Sequence, residues 1–207
     1  VRPIAVGEVF RRLVCKCLCA SVKEDAQQYF HPLQVGVATP LGVEAAVHSA
    51  RSWMQRAAPG KGLLKLDFRN AFNIVSRDVA LQEVRHRFPT LARWTQWCYA
   101  SPAHLQFGQH RLASETGVQQ GDPLGPLLYA AALHRLATRL ANLEVNGMKL
   151  DMAMFYLDDG VLAGDLNLLA AALQCILAEG PELGLHLQIG KSVLVLPREA
   201  APDLQAH

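Results

Sequence analysis

Met154-Phe155-Tyr156-Leu157-Asp158-Asp159-Gly160-Val161-Leu162 places an acidic pair and a glycine between two apolar arms. That pattern predicts an antiparallel hairpin with arms over 152–157 and 161–163. Its tip would carry Asp158 and Asp159 at the end of a buried strand pair. A second apolar run, Leu63-Leu64-Lys65-Leu66-Asp67-Phe68, predicts a central strand over 63–68 that again ends near an acid. A carboxylate at the end of a buried strand costs desolvation free energy unless something compensates it. Three such groups brought together by neighbouring strands repel, and a divalent cation resolves that repulsion better than any nearby side chain. Oxygen ligands with no His or Cys among them point to Mg²⁺ or Mn²⁺ rather than zinc. Asp-Asp-Gly is equally an ordinary turn with solvated carboxylates, so the hairpin alone leaves both readings open.

Between the two acidic features lies Thr116-Gly117-Val118-Gln119-Gln120-Gly121-Asp122-Pro123-Leu124-Gly125-Pro126-Leu127-Leu128, a Gly- and Pro-rich loop opening into a predicted helix over 127–140. Such a loop lets a flat ligand approach the backbone, and the helix start offers free N–H groups. A plain connecting loop with Pro near a helix start has the same composition. Apolar spacing predicts further helices over 9–22, 43–58, 77–88, 90–99 and 166–178, with breaks at Pro59-Gly60, Pro89 and Gly180-Pro181. A loop is expected over 31–40 and a small hairpin over 104–107 and 111–116 around Gly108. Closing strands are expected over 185–189 and 192–196 around Gly190-Lys191. This order favours an α+β fold, with an antiparallel sheet backed by helices on one face. Trp53, Trp94 and Trp97 each fall in an apolar helical pattern and are expected in the core.

The chain has 207 residues, 51% apolar and 18% charged, enough for a domain with a buried core. It is too apolar and too mixed to be disordered or fibrous. No apolar run reaches the roughly 18 residues of a membrane span. Arg2 and Pro3, followed by Glu8, Arg11 and Arg12, make no signal peptide. The start without Met reads as a fragment of something longer. Cys15, Cys17, Cys19, Cys98 and Cys175 suit neither a zinc knuckle nor a disulfide framework; reduced intracellular thiols, packed as small hydrophobes, are expected. Net charge is only +2, yet Lys and Arg outnumber Asp and Glu about two to one over residues 1–111, and the reverse holds over 112–207. A basic front half can face a polyanion; solvated surface charge gives the same asymmetry.

Taken in order, these stretches resemble reverse transcriptases, most closely those of non-LTR retrotransposons and more distantly the group II intron enzymes. Tyr156-Leu157-Asp158-Asp159 is similar to the family's Tyr-x-Asp-Asp tetrad. Leu66-Asp67-Phe68-Arg69-Asn70-Ala71-Phe72 resembles its first metal motif, and Gly117-Val118-Gln119-Gln120-Gly121-Asp122-Pro123-Leu124 its Gln-Gly motif. The resemblance runs from Arg2-Pro3-Ile4 to the strands around Lys191. It implies a polymerase palm over 63–207, with partial fingers and the fingers–palm connection over 1–62. The implied activity is that of an RNA-directed DNA polymerase, a nucleotidyltransferase adding dNTPs to a primer 3′-hydroxyl, with an RNA template and a DNA primer as partners and no membrane. No thumb is expected, because only 16 residues follow Lys191, and such a fragment would hold substrate poorly alone. A non-LTR element would work in the nucleus, so the resemblance implies an intracellular, nuclear setting, although no targeting signal is visible.

The resemblance also implies roles. Asp67, Asp158 and Asp159 would hold two Mg²⁺ ions, or Mn²⁺, that clamp the attacking 3′-oxygen and the leaving pyrophosphate. Phe72 would lie under the incoming sugar and exclude a 2′-hydroxyl; a plain core aromatic is the competing reading. The backbone at Phe68 would approach the triphosphate, while Gln120 and Gly121 would position the nucleotide and the templating base. Arg2 would contact the triphosphate. Lys191 would protonate the departing pyrophosphate, although Gln188 stands where the family often has Asn. Arg11, Arg12, Lys16, Arg51, Arg56 and Lys61 could line a template–primer groove, holding phosphates without reading sequence. Arg85 and Arg87 belong to the same basic set. Two other functions fit parts of the pattern. An RNA-dependent RNA polymerase palm usually carries Gly-Asp-Asp and a small or polar sugar gate, unlike Tyr156 and Phe72. A domesticated fragment that binds nucleic acid or acts as a scaffold would not need the intact acids.

Overall fold

The computed structural model describes residues 4–197. Helices α1 (Val9–Ser21), α2 (Lys23–Phe30) and α3 (Gly42–Arg56) precede strand β1 (Lys61–Asp67). One-turn α4 (Ala71–Ile74), α5 (Arg77–Arg87) and α6 (Pro89–Tyr99) lead to the hairpin of β2 (Ala103–Phe107) and β3 (His110–Ser114). Helix α7 (Gly125–Ala141) is followed by a short hairpin, β4 (Glu144–Val145) and β5 (Met148–Lys149), then by β6 (Met152–Tyr156), β7 (Asp159–Asp165) and α8 (Leu166–Glu179). 3-10 turns at Gly180–Leu183 and Ile189–Lys191 lead into β8 (Val193–Val195). Ser76 caps α5 by accepting from the Val79 N–H, and Asp165 caps α8 by accepting from the Asn167 N–H. Pro89 opens α6, where its missing N–H costs nothing.

Strands β6, β7, β1 and β8 form, in that order, an antiparallel sheet. The period-2 alternation of β1 explains its place. Leu64 and Leu66 are buried opposite Leu162 and Gly160, while Lys65 and Asp67 share the other face with Val161 and Asp159. A Cβ at Gly160 would lie 2.6 Å from the Phe155 ring, so the hairpin closes over its own aromatic only with glycine there. Helices α7 and α8 pack on the core side. Helix α7 is apolar nearly all round and buries Leu127, Leu128, Tyr129, Leu133, Leu136 and Leu140, which marks it as the central helix. Each fully buried Leu contributes about 1.5–3 kcal/mol. The face carrying Lys65 and Asp67 stays more open, and α3 covers it over Met152, Met154 and Val161. Among the described residues, no helix is long and apolar enough to cross a membrane.

The α+β expectation holds, with the central strand, the acidic hairpin and the expected helices in place. The strand expected over 185–189 is absent. Leu187 makes a single bridge to Phe68, and the chain then winds into a 3-10 turn. The cause lies in β1, which ends at Asp67 and gives way to α4, leaving no strand to pair. Helix α2 escaped prediction because only Ala26 and Phe30 of its polar sequence are buried. The β4–β5 arms around left-handed Asn146 and Gly147 are only two residues long. Trp97, expected in the core, is 70% exposed, because α6 buries Leu91, Thr95, Cys98 and Tyr99 and Trp97 lies off that stripe. Cys17 is exposed as well, whereas Cys15 and Cys98 are buried.

Candidate active site

Strand register brings the two acidic features together. Asp67 closes β1 and Asp159 opens β7 as its direct cross-strand partner. Side chains so placed have Cβ atoms about 4.5–5.5 Å apart. Asp158 occupies the turn between β6 and β7, after Leu157 in a left-handed conformation with φ 54°. Tyr129 of α7 is fully buried, and its hydroxyl has no hydrogen-bond partner among the described residues. Its pKa lies well above the usual phenol value, first through burial and then because Asp158 and Asp159 disfavour another negative charge nearby. A neutral phenol therefore sits within the field of both acids.

Among the described residues, no group of three or more His, Cys, Asp or Glu side chains is arranged to hold a metal ion. The donors that the register does bring together are carboxylate oxygens. That hard set suits Mg²⁺ or Mn²⁺, and Mg²⁺ in particular completes its shell with water and substrate phosphates. The donor chemistry fits such an ion.

Asp158 also lines a cleft of about 470 Å³ together with Phe72, Gln120, Gly121, Pro126 and Lys16, within the size range of small-molecule sites. Each wall has a local cause. After β1 the chain turns through left-handed Asn70 into α4, which carries Phe72. Phe72 stacks on Tyr129, with ring centroids 4.7 Å apart and planes 11° from parallel. The loop of residues 117–121 is laced onto α4. The Val118 N–H donates to the Phe72 carbonyl at 2.6 Å, and the Gly117 N–H to the Val75 carbonyl at 3.1 Å. At Gly121, φ is 108° and a Cβ would lie 2.6 Å from the Ala5 carbonyl oxygen, so only glycine fits. The Ala5 N–H in turn donates to the Gln120 carbonyl at 2.8 Å.

Two buried polar side chains that carry no expected role from the sequence fix this loop. Arg77 donates through Nε to the Gly117 carbonyl at 2.6 Å, and through its Nη atoms to the carbonyls of Ser114 and Thr116. Asp122 accepts from the Tyr99 hydroxyl and from Arg11 Nη2, both at 2.8 Å, and from the Leu124 N–H at 2.9 Å. Burial first, and then the Asp122 charge, push the Tyr99 phenol far above its usual pKa. Burial pulls the Arg77 guanidinium down. Asp122 before Pro123 at a helix start is a readable local signal. Its partner Arg11, 111 positions away, is not.

The remaining predicted residues are placed as follows. Arg2 lies outside the described residues. Phe68 is buried in the core and its ring does not line the cleft, which leaves only its backbone for any contact with a ligand. Lys191 is exposed in its 3-10 turn, beside the end of β1, where the Gln188 N–H donates to the Asp67 carbonyl at 2.8 Å. Arg11, expected on a phosphate groove, is spent on Asp122 and lies over the Tyr99 ring, with its side chain only 17% exposed. Lys61 is paired with Asp151 at 2.6 Å. Arg12 is half-buried, while Arg51 and Arg56 are exposed on α3. The structure gathers Phe72, Gln120, Gly121, Asp158 and Lys16 in one cleft and leaves the other basic residues outside its lining.

The family described as reverse transcriptase (RNA-dependent DNA polymerase) matches residues 1–203. The chain belongs to the reverse transcriptase family. Over 173 residues this reverse transcriptase domain is 28% identical to the retrotransposable element SLACS 132 kDa protein of Trypanosoma brucei gambiense, covering 78% of the chain and 14% of that protein. Apo telomerase from Candida tropicalis superposes with a TM-score of 0.66 at 10% identity, over 94% of this chain and 38% of that one. Telomerase from Candida albicans, in complex with a fragment of telomeric RNA, superposes with a TM-score of 0.61 at 14% identity, over 92% and 35%. The domain thus shares its fold with telomerase and is similar to part of a retrotransposon protein, and it spans a minor part of each.

Proposed function

We propose that this reverse transcriptase domain adds dNTPs to a primer 3′-hydroxyl on an RNA template, within the protein of a non-LTR-type retroelement. The observation that carries the reading is the pairing of Asp67 with Asp159 across β1 and β7, beside a cleft lined by Asp158, Phe72, Gln120 and Gly121. Asp67, Asp158 and Asp159 would hold two Mg²⁺ ions, with Mn²⁺ as a substitute, which supply charge stabilisation at the transferring phosphoryl group and lower the pKa of the attacking hydroxyl. Phe72 would bound the sugar subsite. Its stacking on Tyr129 keeps the ring from yielding to a 2′-hydroxyl. Gln120 and Gly121 offer backbone at close approach to a base or sugar. Lys16 adds a positive charge at the cleft mouth, suited to phosphate. Lys191, near Asp67, would give a proton to pyrophosphate, and Arg2 would meet the triphosphate. Residues 1–62 would serve as part of the fingers and 63–207 as the palm.

Primer extension by the full-length protein tests this. The expected result is extension on an RNA template with dNTPs in Mg²⁺ or Mn²⁺, little with rNTPs, and none after Asp158→Asn, with the fold retained by circular dichroism. Extension that survives Asp158→Asn refutes the assignment. Preference for rNTPs would favour an RNA polymerase instead, and nucleic-acid binding without any extension would favour a scaffold.

A further inference from the structure

The turn that carries Asp158 is held from outside its own hairpin. Leu157 adopts φ 54°, a conformation that persists in a non-glycine residue only where its surroundings impose it. Here one side chain brackets the residue. Gln34 Oε1 accepts from the Leu157 N–H at 2.8 Å, and Gln34 Nε2 donates to the Leu157 carbonyl at 3.2 Å. The same Oε1 accepts from the Gly36 N–H at 2.8 Å. Gln34 is 1% exposed, and the three bonds it makes are part-buried.

The segment around Gln34 is itself seated against β6. The Phe155 N–H donates to the Leu33 carbonyl at 2.7 Å, and the Val35 N–H to the Phe155 carbonyl at 2.8 Å, forming a parallel bridge. Gly36 completes the fit, since a Cβ there would lie 2.7 Å from the Leu157 nitrogen. The clamp therefore has a fixed base, a two-pronged contact and no room for slack.

We infer that Gln34 is a positioning residue for the acidic turn, fixing Leu157 in its left-handed state and so setting the carboxylates of Asp158 and Asp159 relative to Asp67. This role rests on the proposed reading of those acids as ion ligands. A buried amide that merely fills a loop would satisfy its polar atoms on any neighbours. Gln34 instead turns both ends of its carboxamide to the one residue that precedes Asp158, sharing only Oε1 with the Gly36 N–H. With the clamp removed, the turn can relax toward commoner backbone states, and the acids would no longer be preset for an ion.

Three measurements on the full-length protein test this, using Gln34→Met, which keeps the length and loses every bond, and Gly36→Ala, which presses on Leu157 from the other side. Hydrogen exchange should show the Leu157 amide protected in the natural protein despite its place in a turn. Both variants should speed that exchange at least about tenfold, the worth of one buried hydrogen bond. Mn²⁺ titration followed by electron paramagnetic resonance should show weaker binding by about the same factor, and half-saturating Mg²⁺ in primer extension should rise alongside, with KM for dNTP nearly unchanged. A merely structural role would lower the active fraction and leave both metal titrations in place. Unprotected Leu157 in the natural protein, or a folded variant with unaltered metal titrations, overturns the inference. If the natural protein binds no Mn²⁺ while the exchange difference stands, the ion-ligand reading fails and this role fails with it, the clamp being intact. Should Gln34→Met not fold, Gly36→Ala and the natural protein decide the matter.

Discussion

Asp122 offers a perturbation whose size follows from its contacts. Its side chain, 3% exposed, holds the Arg11 guanidinium, the Tyr99 hydroxyl and the Leu124 N–H. Breaking a buried charge pair from one side costs about 3–5 kcal/mol. Arg11 keeps 17% side-chain exposure, which puts its share at about 3 kcal/mol, and the Tyr99 hydroxyl, left without an acceptor for its proton, adds about 1 kcal/mol. Asp122→Ala should therefore lose about 4 kcal/mol. With a urea slope of about 2 kcal/mol per molar, the midpoint falls by about 2 M. Arg11→Met should cost only about 2 kcal/mol, because Asp122 retains two donors. The double variant Arg11→Met with Asp122→Ala removes both charges and should cost at least about 1.5 kcal/mol less than the sum of the single changes. Urea unfolding followed by tryptophan fluorescence reads this directly, since Trp94 and Trp97 lie on α6 with Tyr99. Additivity within about 0.5 kcal/mol would refute the claim that Asp122 and Arg11 form one coupled unit.

Other predictions concern the aromatic pair and pH. Tyr129→Phe removes a buried hydroxyl with no partner among the described residues, so thermal unfolding should show a gain of about 1 kcal/mol. Phe72→Val opens the wall that faces the cleft, and single-nucleotide incorporation should show the rNTP/dNTP ratio rise at least about tenfold. Burial holds Tyr99 and Tyr129 protonated beyond the pH at which an unfolded tyrosine ionises, about 10. Their contribution is complete below that pH and declines above it, as only the unfolded chain releases those protons. Unfolding free energy measured from pH 8 to 11 should fall above about pH 10, and less steeply in Tyr99→Phe.

The acids were legible because their chemistry is local: an apolar run ending in Asp67 and an Asp-Asp-Gly tip each carry their own signal. Helices bounded by Pro89 and by Gly180-Pro181 were legible for the same reason. What holds the acids in place was not. Gln34 sits in a segment that reads as loop, and its bonds to Leu157 span 123 positions. Arg77 reads as one more surface charge on an N-terminal helical turn, yet it is 8% exposed and bonded to three loop carbonyls. The pairing within the basic set was hidden for a related reason. Charge counts cannot say which cations are already answered by an acid, as Arg11 is by Asp122 and Lys61 by Asp151.

The alternation of β1 ties the acid to an odd-or-even rule. Asp67 and Leu66 occupy opposite sides of one ribbon, so inserting or deleting a single residue between Lys61 and Leu66 would exchange them, turning a charge inward and a leucine outward. Sequence drift in this family member can alter which apolar residues fill that stretch far more freely than it can alter their number. The loop ahead of Lys61, where exposed Gly60 has open space around it, is where length can change without that inversion.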